Sequence, residues 1–129
     1  MTKISFKKFS KIDTENFKSL NIEWLDTYFK VEPIDELVLN NPETEVIDKG
    51  GFIFMIQKNY VTIGTFAFIK KSEKIYEFSK MAITPNERGN GYGNMAMKFL
   101  IQFAKKKKWS KLILYSNTKL KNSIHLYKK

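Results

Sequence analysis

Between Gly50 and Leu114 the chain changes its repeat period in an order that few folds can accept. Phe52 to Ile56 is a β-type apolar run, and Gln57-Lys58-Asn59 reads as a turn. In Val61 to Ile69, Ile63, Thr65 and Ala67 alternate against Gly64, Phe66 and Phe68. Lys70 to Lys74 is a charged turn, and Ile75 to Ile83 a third strand that Pro85 stops. Strands joined by such short turns predict an antiparallel meander. A glycine-rich run, Arg88-Gly89-Asn90-Gly91-Tyr92-Gly93, comes next, and the period then becomes helical. From Asn94 to Lys108 the polar residues Asn94, Lys98, Gln102 and Lys105 fall on one face. Met97, Leu100, Ile101 and Ala104 fall on the other. Leu112-Ile113-Leu114 then reads as a buried strand. A strand–loop–helix–strand crossover requires a parallel pair. The expectation is therefore an α/β chain with a mixed sheet, part meander and part parallel, flanked by helices.

The rest of the chain fits around this frame. Ile4-Ser5-Phe6 alternates as a short first strand. Asp13 and Thr14 are cap-type residues ahead of Phe17, Leu20 and Trp24, which predicts helix. Pro33 opens another helical segment through Leu39, which Asn40-Asn41-Pro42 breaks. Lys119 to Lys129 reads as a last helix. No repeat, linker or boundary interrupts the 129 residues, so a single domain over 1–129 is expected.

Composition removes whole classes of chemistry. Cysteine is absent, which excludes disulfides, thiolate zinc sites and cysteine nucleophiles. His125 is the single histidine, so no metal site built on several histidines exists. The apolar runs are too short to span a bilayer, and no secretory segment follows the lysines at the N-terminus. A cytoplasmic, metal-free protein is the expectation. The net charge of +10 favours anionic partners, but the lysines are spread along the chain as a solvated surface. The dense run Lys105-Lys106-Lys107-Lys108 ends the predicted helix, where cations complement the dipole.

Arg88 is the only arginine among 23 basic residues, and three of the six glycines follow it. The spacing is not that of a dinucleotide fingerprint, which needs glycine where Asn94 stands. It is not a P-loop either, for no Gly-Lys-Ser/Thr is present. What remains is Arg-x-x-Gly-x-Gly between a strand and a helix. Glycines let successive amides turn toward one anion, and the helix dipole adds to them. The hexapeptide alone reads equally well as an ordinary strand-to-helix turn with a surface arginine.

Its surroundings carry more. Glu77-Phe78-Ser79-Lys80-Met81-Ala82-Ile83-Thr84-Pro85, then Arg88-x-x-Gly91-x-Gly93 and an amphipathic helix, resembles the acetyl-CoA site of the GCN5-related N-acetyltransferase (GNAT) superfamily. Leu112 to Leu120, ending in Ile124-His125-Leu126-Tyr127, resembles that family's fifth strand and fourth helix. The resemblance covers Gly50 to Lys129, and the N-terminal part is compatible with it. It implies a GNAT-like fold with a central antiparallel meander and a splayed parallel pair. It implies acetyl-CoA as cosubstrate, with Met81, Ala82 and Ile83 along the pantetheine arm. The pyrophosphate would rest on the amides of Arg88, Gly89, Asn90, Gly91, Tyr92, Gly93 and Asn94. A strand amide near Met81 or Ala82 would polarise the thioester carbonyl. The implied reaction is direct attack by a primary amine of a small molecule or protein. An alkylammonium with a pKa near ~10 must first lose a proton. Glu77 is placed to take it, or is a strand carboxylate paired with a lysine. Tyr127 matches the family's tyrosine acid, or is a core aromatic. His125, two residues earlier, reads as a surface histidine.

Two departures stand out. Where many members carry an asparagine seven positions before the tyrosine, this chain has Leu120, so Asn117 or Asn122 would stand in. Members usually continue past the tyrosine into two more strands, whereas Lys129 follows Tyr127 closely. The fifth strand is then expected to have an open edge, from truncation or for a partner chain (a homodimer) to complete. A non-catalytic acyl-CoA-binding protein is the alternative function. A basic nucleic-acid module is a third reading, disfavoured because no groove-reading motif is present.

Overall fold

A computed structural model describes residues 3–28, 33–115 and 121–125. Its centre is a six-stranded sheet in chain order, from β1 (Ile4–Lys8) through β2 (Phe52–Lys58), β3 (Val61–Ser72), β4 (Ile75–Ile83) and β5 (Lys111–Tyr115) to β6 (Lys121–His125). The first four strands pair antiparallel, β4 and β5 parallel, and β5 and β6 antiparallel. The helices are α1 (Thr14–Tyr28), α2 (Pro33–Asn40) and α3 (Tyr92–Lys106). The expected mixed sheet, with a meander feeding a parallel crossover, is what forms.

Side-chain alternation sorts the two layers. Phe54, Phe66, Phe68 and Tyr76 point to one face and pack with Ala96, Leu100, Ala104 and Trp109 from α3 and its exit. Ile53, Met55 and Ala67 point to the other and pack with Phe17, Val38, Leu39 and Val46. Aromatic rings dominate the first layer. Phe54 meets Phe99 and Phe103 edge-on at 5.0 Å each, and Tyr76 stacks on Trp109 at 3.7 Å. Edge-to-face and offset pairs of this kind add to area burial. At the entry to α1, Ser10 and Asp13 form a reciprocal capping box, and Lys7 of β1 reaches the Asp13 carboxylate at 2.6 Å.

Several boundaries move. The turn after β2 is Asn59-Tyr60 rather than Gln57 to Asn59, and both turn residues have positive φ, 51° and 70°. That is the twist a two-residue hairpin favours. β3 runs on to Ser72, so the following turn shrinks to Glu73 and Lys74. After Asn41 the chain makes a short π-helical turn, Glu43–Ile47, that buries Val46. The largest correction is at the end of the chain. Residues 121–125, expected as helix, are a strand, and they pair with β5 over Lys111↔His125 to Tyr115↔Lys121. The expected open edge on β5 is therefore covered by the chain itself. Unpaired β5 amides and carbonyls are satisfied this way, and Asn122 and Ser123 are weak helix formers.

Candidate active site

The parallel pair splays. β4 and β5 are in register only at Ile75↔Lys111, Tyr76↔Leu112 and Glu77↔Ile113. Beyond Glu77, β4 continues for six more residues to Ile83, whereas β5 ends at Tyr115 and is paired with β6 throughout. On the β3 side β4 stays paired, with Thr65↔Ala82 and Gly64↔Ile83. One side of Met81, Ala82 and Ile83 is thus a strand edge with no β5 partner. A bulge sharpens the opening. Phe66 alone stands opposite Lys80 and Met81, and Lys80 has φ 55°. Bulges re-aim amides and bend the strand.

This edge leads into the glycine loop. Pro85–Glu87 forms one 3-10 turn, and Gly91, at φ 83° and ψ 6°, is the N-cap of α3. Gly89 also has positive φ, 80°. A left-handed residue at both places is what turns the chain so that the first α3 amides face outward. Nothing lies within 4 Å of where a Cβ would stand on Gly89, Gly91 or Gly93. The first helical bond is Met95 N–H to the Gly91 carbonyl at 3.2 Å, so the amides of Tyr92, Gly93 and Asn94 precede the intrahelical ladder. Such a helix mouth suits an anion. The Tyr92 side chain, by contrast, is buried in the α3 layer.

The loop is pinned on both flanks. On one side, Lys58 of β2 reaches both Glu87 oxygens at 3.1 and 3.2 Å, and the Asn90 amide donates to Glu87 at 3.3 Å. The Glu87 hydrogen bond raises the Lys58 pKa above its ordinary value. On the other side, Arg88 Nε donates to the Ile83 carbonyl at 2.8 Å, Nη2 pairs with Glu23 of α1, and the guanidinium lies 4.7 Å over the Trp24 ring. These contacts turn the Arg88 side chain toward the protein.

Glu77 sits at the vertex of the opening, in the last register pair with β5. Its carboxylate is mostly buried and pairs with Lys71 at 3.3 Å. Asn122 lies on β6, antiparallel to Leu114. Asn117 and Tyr127 lie outside the described residues. Glu23, Trp24, Lys58 and Lys71 were not legible as site residues, because their partners are distant in sequence or lie across the sheet. Among the described residues no group of three potential metal ligands comes together, and no helix is long and apolar enough to cross a membrane. A hollow of about 310 Å³ lined by Phe9, Ile47, Phe52 and Ile53 lies at the other end of β2, away from the loop.

The splayed edge running into a glycine loop is the geometry that the sequence resemblance implies. The family model described as the acetyltransferase (GNAT) family matches residues 15–129. The chain belongs to the GNAT acetyltransferase family. Solved structures agree on the fold. An acetyltransferase of the GNAT family from Staphylococcus aureus aligns with TM-score 0.75 at 16% identity, covering 88% of this chain and 73% of that one. A GNAT family acetyltransferase from Brucella melitensis in complex with acetyl-CoA gives TM-score 0.73 at 11% identity, over 88% and 76%. Spermidine N-acetyltransferase from Vibrio cholerae, in complex with CoA and spermine, gives 0.67 at 18% identity, over 86% and 69%. A search of curated proteins gives no match to this chain.

Proposed function

We propose that this GNAT protein transfers the acetyl group of acetyl-CoA to a primary amine by direct attack. The observation that carries the reading is the unpaired β4 edge leading into the α3 helix mouth through a left-handed glycine. The residues fit the cosubstrate. The edge of Met81, Ala82 and Ile83 offers strand-type hydrogen bonds to a pantetheine arm, and the amides of Gly91 to Asn94 offer donors to a pyrophosphate. Acetyl-CoA supplies an activated thioester there. Asn117 and Asn122 are the candidate side chains for holding its arm.

Two groups manage protons in this reading. Glu77, at the vertex, takes one from the ammonium, directly or through water, and Lys71 orients the carboxylate. Tyr127 returns one to the departing thiolate. A cationic acceptor suits the layer of α1, α2 and the π turn, because most acidic residues of this basic chain lie between positions 13 and 48. The spermidine acetyltransferase among the structural neighbours supports a small amine, and the neighbour bound to acetyl-CoA supports the cosubstrate.

The test is thiol release from acetyl-CoA across a panel of polyamines, amino acids and lysine peptides. Turnover with at least one amine is expected, and Tyr127→Phe should bind CoA while losing turnover. Binding of CoA without turnover on any amine would favour an acyl-CoA-binding protein. No CoA binding at all would defeat both readings.

A further inference from the structure

The single arginine joins two parts of the molecule that the glycine loop alone does not connect. Its main chain enters the loop, with Arg88 N–H on the Pro85 carbonyl at 3.3 Å. Its side chain leaves the loop for α1, held at its root by the Ile83 carbonyl and at its tip by Glu23 and Trp24. Glu23 lies 65 residues away in sequence. The Arg88 side of the contact is shielded and the Glu23 side is partly open, with the side chains 19% and 40% exposed. A planar guanidinium with two directed bonds and a ring face transmits orientation in a way that a lysine's point charge does not. α1 itself packs on β3 and β4, so it forms a wall beside the splayed edge.

We propose that Arg88 is a positioning residue that couples α1 to occupancy of the glycine loop. This rests on the reading of the loop as the CoA pyrophosphate site. The Arg88 main chain runs through Gly89 and Asn90 directly into the α3 mouth, where the anion is seated. Any shift of the Arg88 main chain is passed to Glu23 and Trp24 through the guanidinium. The acceptor-side helix is thereby ordered when the cosubstrate is in place. Linkage then demands the reverse: whatever CoA gives to α1, α1 gives to CoA affinity, by the same factor.

The test is hydrogen–deuterium exchange on the full chain with and without CoA. It is run on the wild type, Arg88→Lys, Glu23→Gln and the double variant, alongside CoA titration calorimetry. In the wild type, CoA should protect residues 89–94 and slow exchange in α1 by roughly threefold or more. Either single variant should keep loop protection, lose the α1 response and weaken CoA by one shared factor. The double variant should be no weaker than a single one. An α1 response that persists in Glu23→Gln, or additive losses in the double variant, would overturn the coupling alone. Loop protection in the wild type with no α1 response would do the same. Absence of loop protection in the wild type would overturn the cosubstrate reading, and the coupling with it. A Glu23→Gln variant that binds CoA as well as or better than the wild type, beside a large loss in Arg88→Lys, would instead make the guanidinium a direct ligand and overturn the proposal.

Discussion

Gly89 and Gly91 form a matched pair that separates backbone strain from ligand binding. Both have φ near +80°, and a Cβ at either meets nothing within 4 Å. Alanine at either therefore carries the same conformational penalty, about 1–2 kcal/mol for a left-handed L-residue. The unfolded chain also loses freedom on Gly→Ala, which returns about 0.4–1 kcal/mol. Each variant should thus be less stable by about 1 kcal/mol, a fall in Tm of roughly 3–6 °C for a chain of this size. Their effects on CoA should differ. Gly91 is the N-cap of α3, so its Cβ stands at the mouth where the anion is proposed to sit. Gly89 lies two residues back in the turn. Losing one charge-assisted amide contact, worth about 1.5–3 kcal/mol, would weaken CoA about tenfold to a hundredfold in Gly91→Ala. Gly89→Ala should stay within about threefold of the wild type, since it disturbs the turn but not the mouth. Thermal melts and titration calorimetry on the two proteins decide it. Equal losses of CoA affinity, or full affinity in Gly91→Ala, would refute the placement of the pyrophosphate.

Two further predictions concern the scaffold of the site. Burial raises the Asp13 carboxyl, but the bonds from Lys7 and the Ser10 amide outweigh it and hold the group below the usual carboxylate value. That stability is present above about pH 4 and is lost as pH falls through the lowered value. Asp13→Asn should cost about 1–3 kcal/mol in neutral denaturant melts and flatten the acid limb, and an unchanged acid limb would contradict the assignment. At the other flank Glu87 raises Lys58, so that contribution is present below the ordinary lysine value and is lost as pH rises above about 10.4. Glu87→Gln should reduce the alkaline dependence of Tm by the share that Lys58 contributes and loosen the loop; an alkaline limb identical to the wild type would contradict it.

What the sequence disclosed follows from locality. β4 spans Ile75–Ile83 as expected because Pro85 and the charged turn bound it on both sides. α3 declared itself by period, and the loop by its glycines. The Lys80 bulge left no sign, since lysine is not a residue that marks positive φ. The strand at Lys121–His125 escapes local pattern because its Leu and Tyr neighbours mimic a helical stripe, whereas its state is decided by β5 across the sheet. The Arg88 clamp was invisible for the same reason: its partners belong to α1, and only the fold brings them to the loop. Local pattern gave most of the elements and the glycine turn, and non-local pairing gave the splay that makes the turn a candidate site.

In the proposed function the amides at the α3 mouth receive the CoA pyrophosphate. Titrating nitrogen-15-labelled protein with CoA and following the Tyr92, Gly93 and Asn94 amide resonances tests it most directly. These three amides should move saturably with CoA and not with pantetheine, which lacks the pyrophosphate. If they stay in place while CoA binds elsewhere, or respond equally to pantetheine, the loop is not the pyrophosphate site.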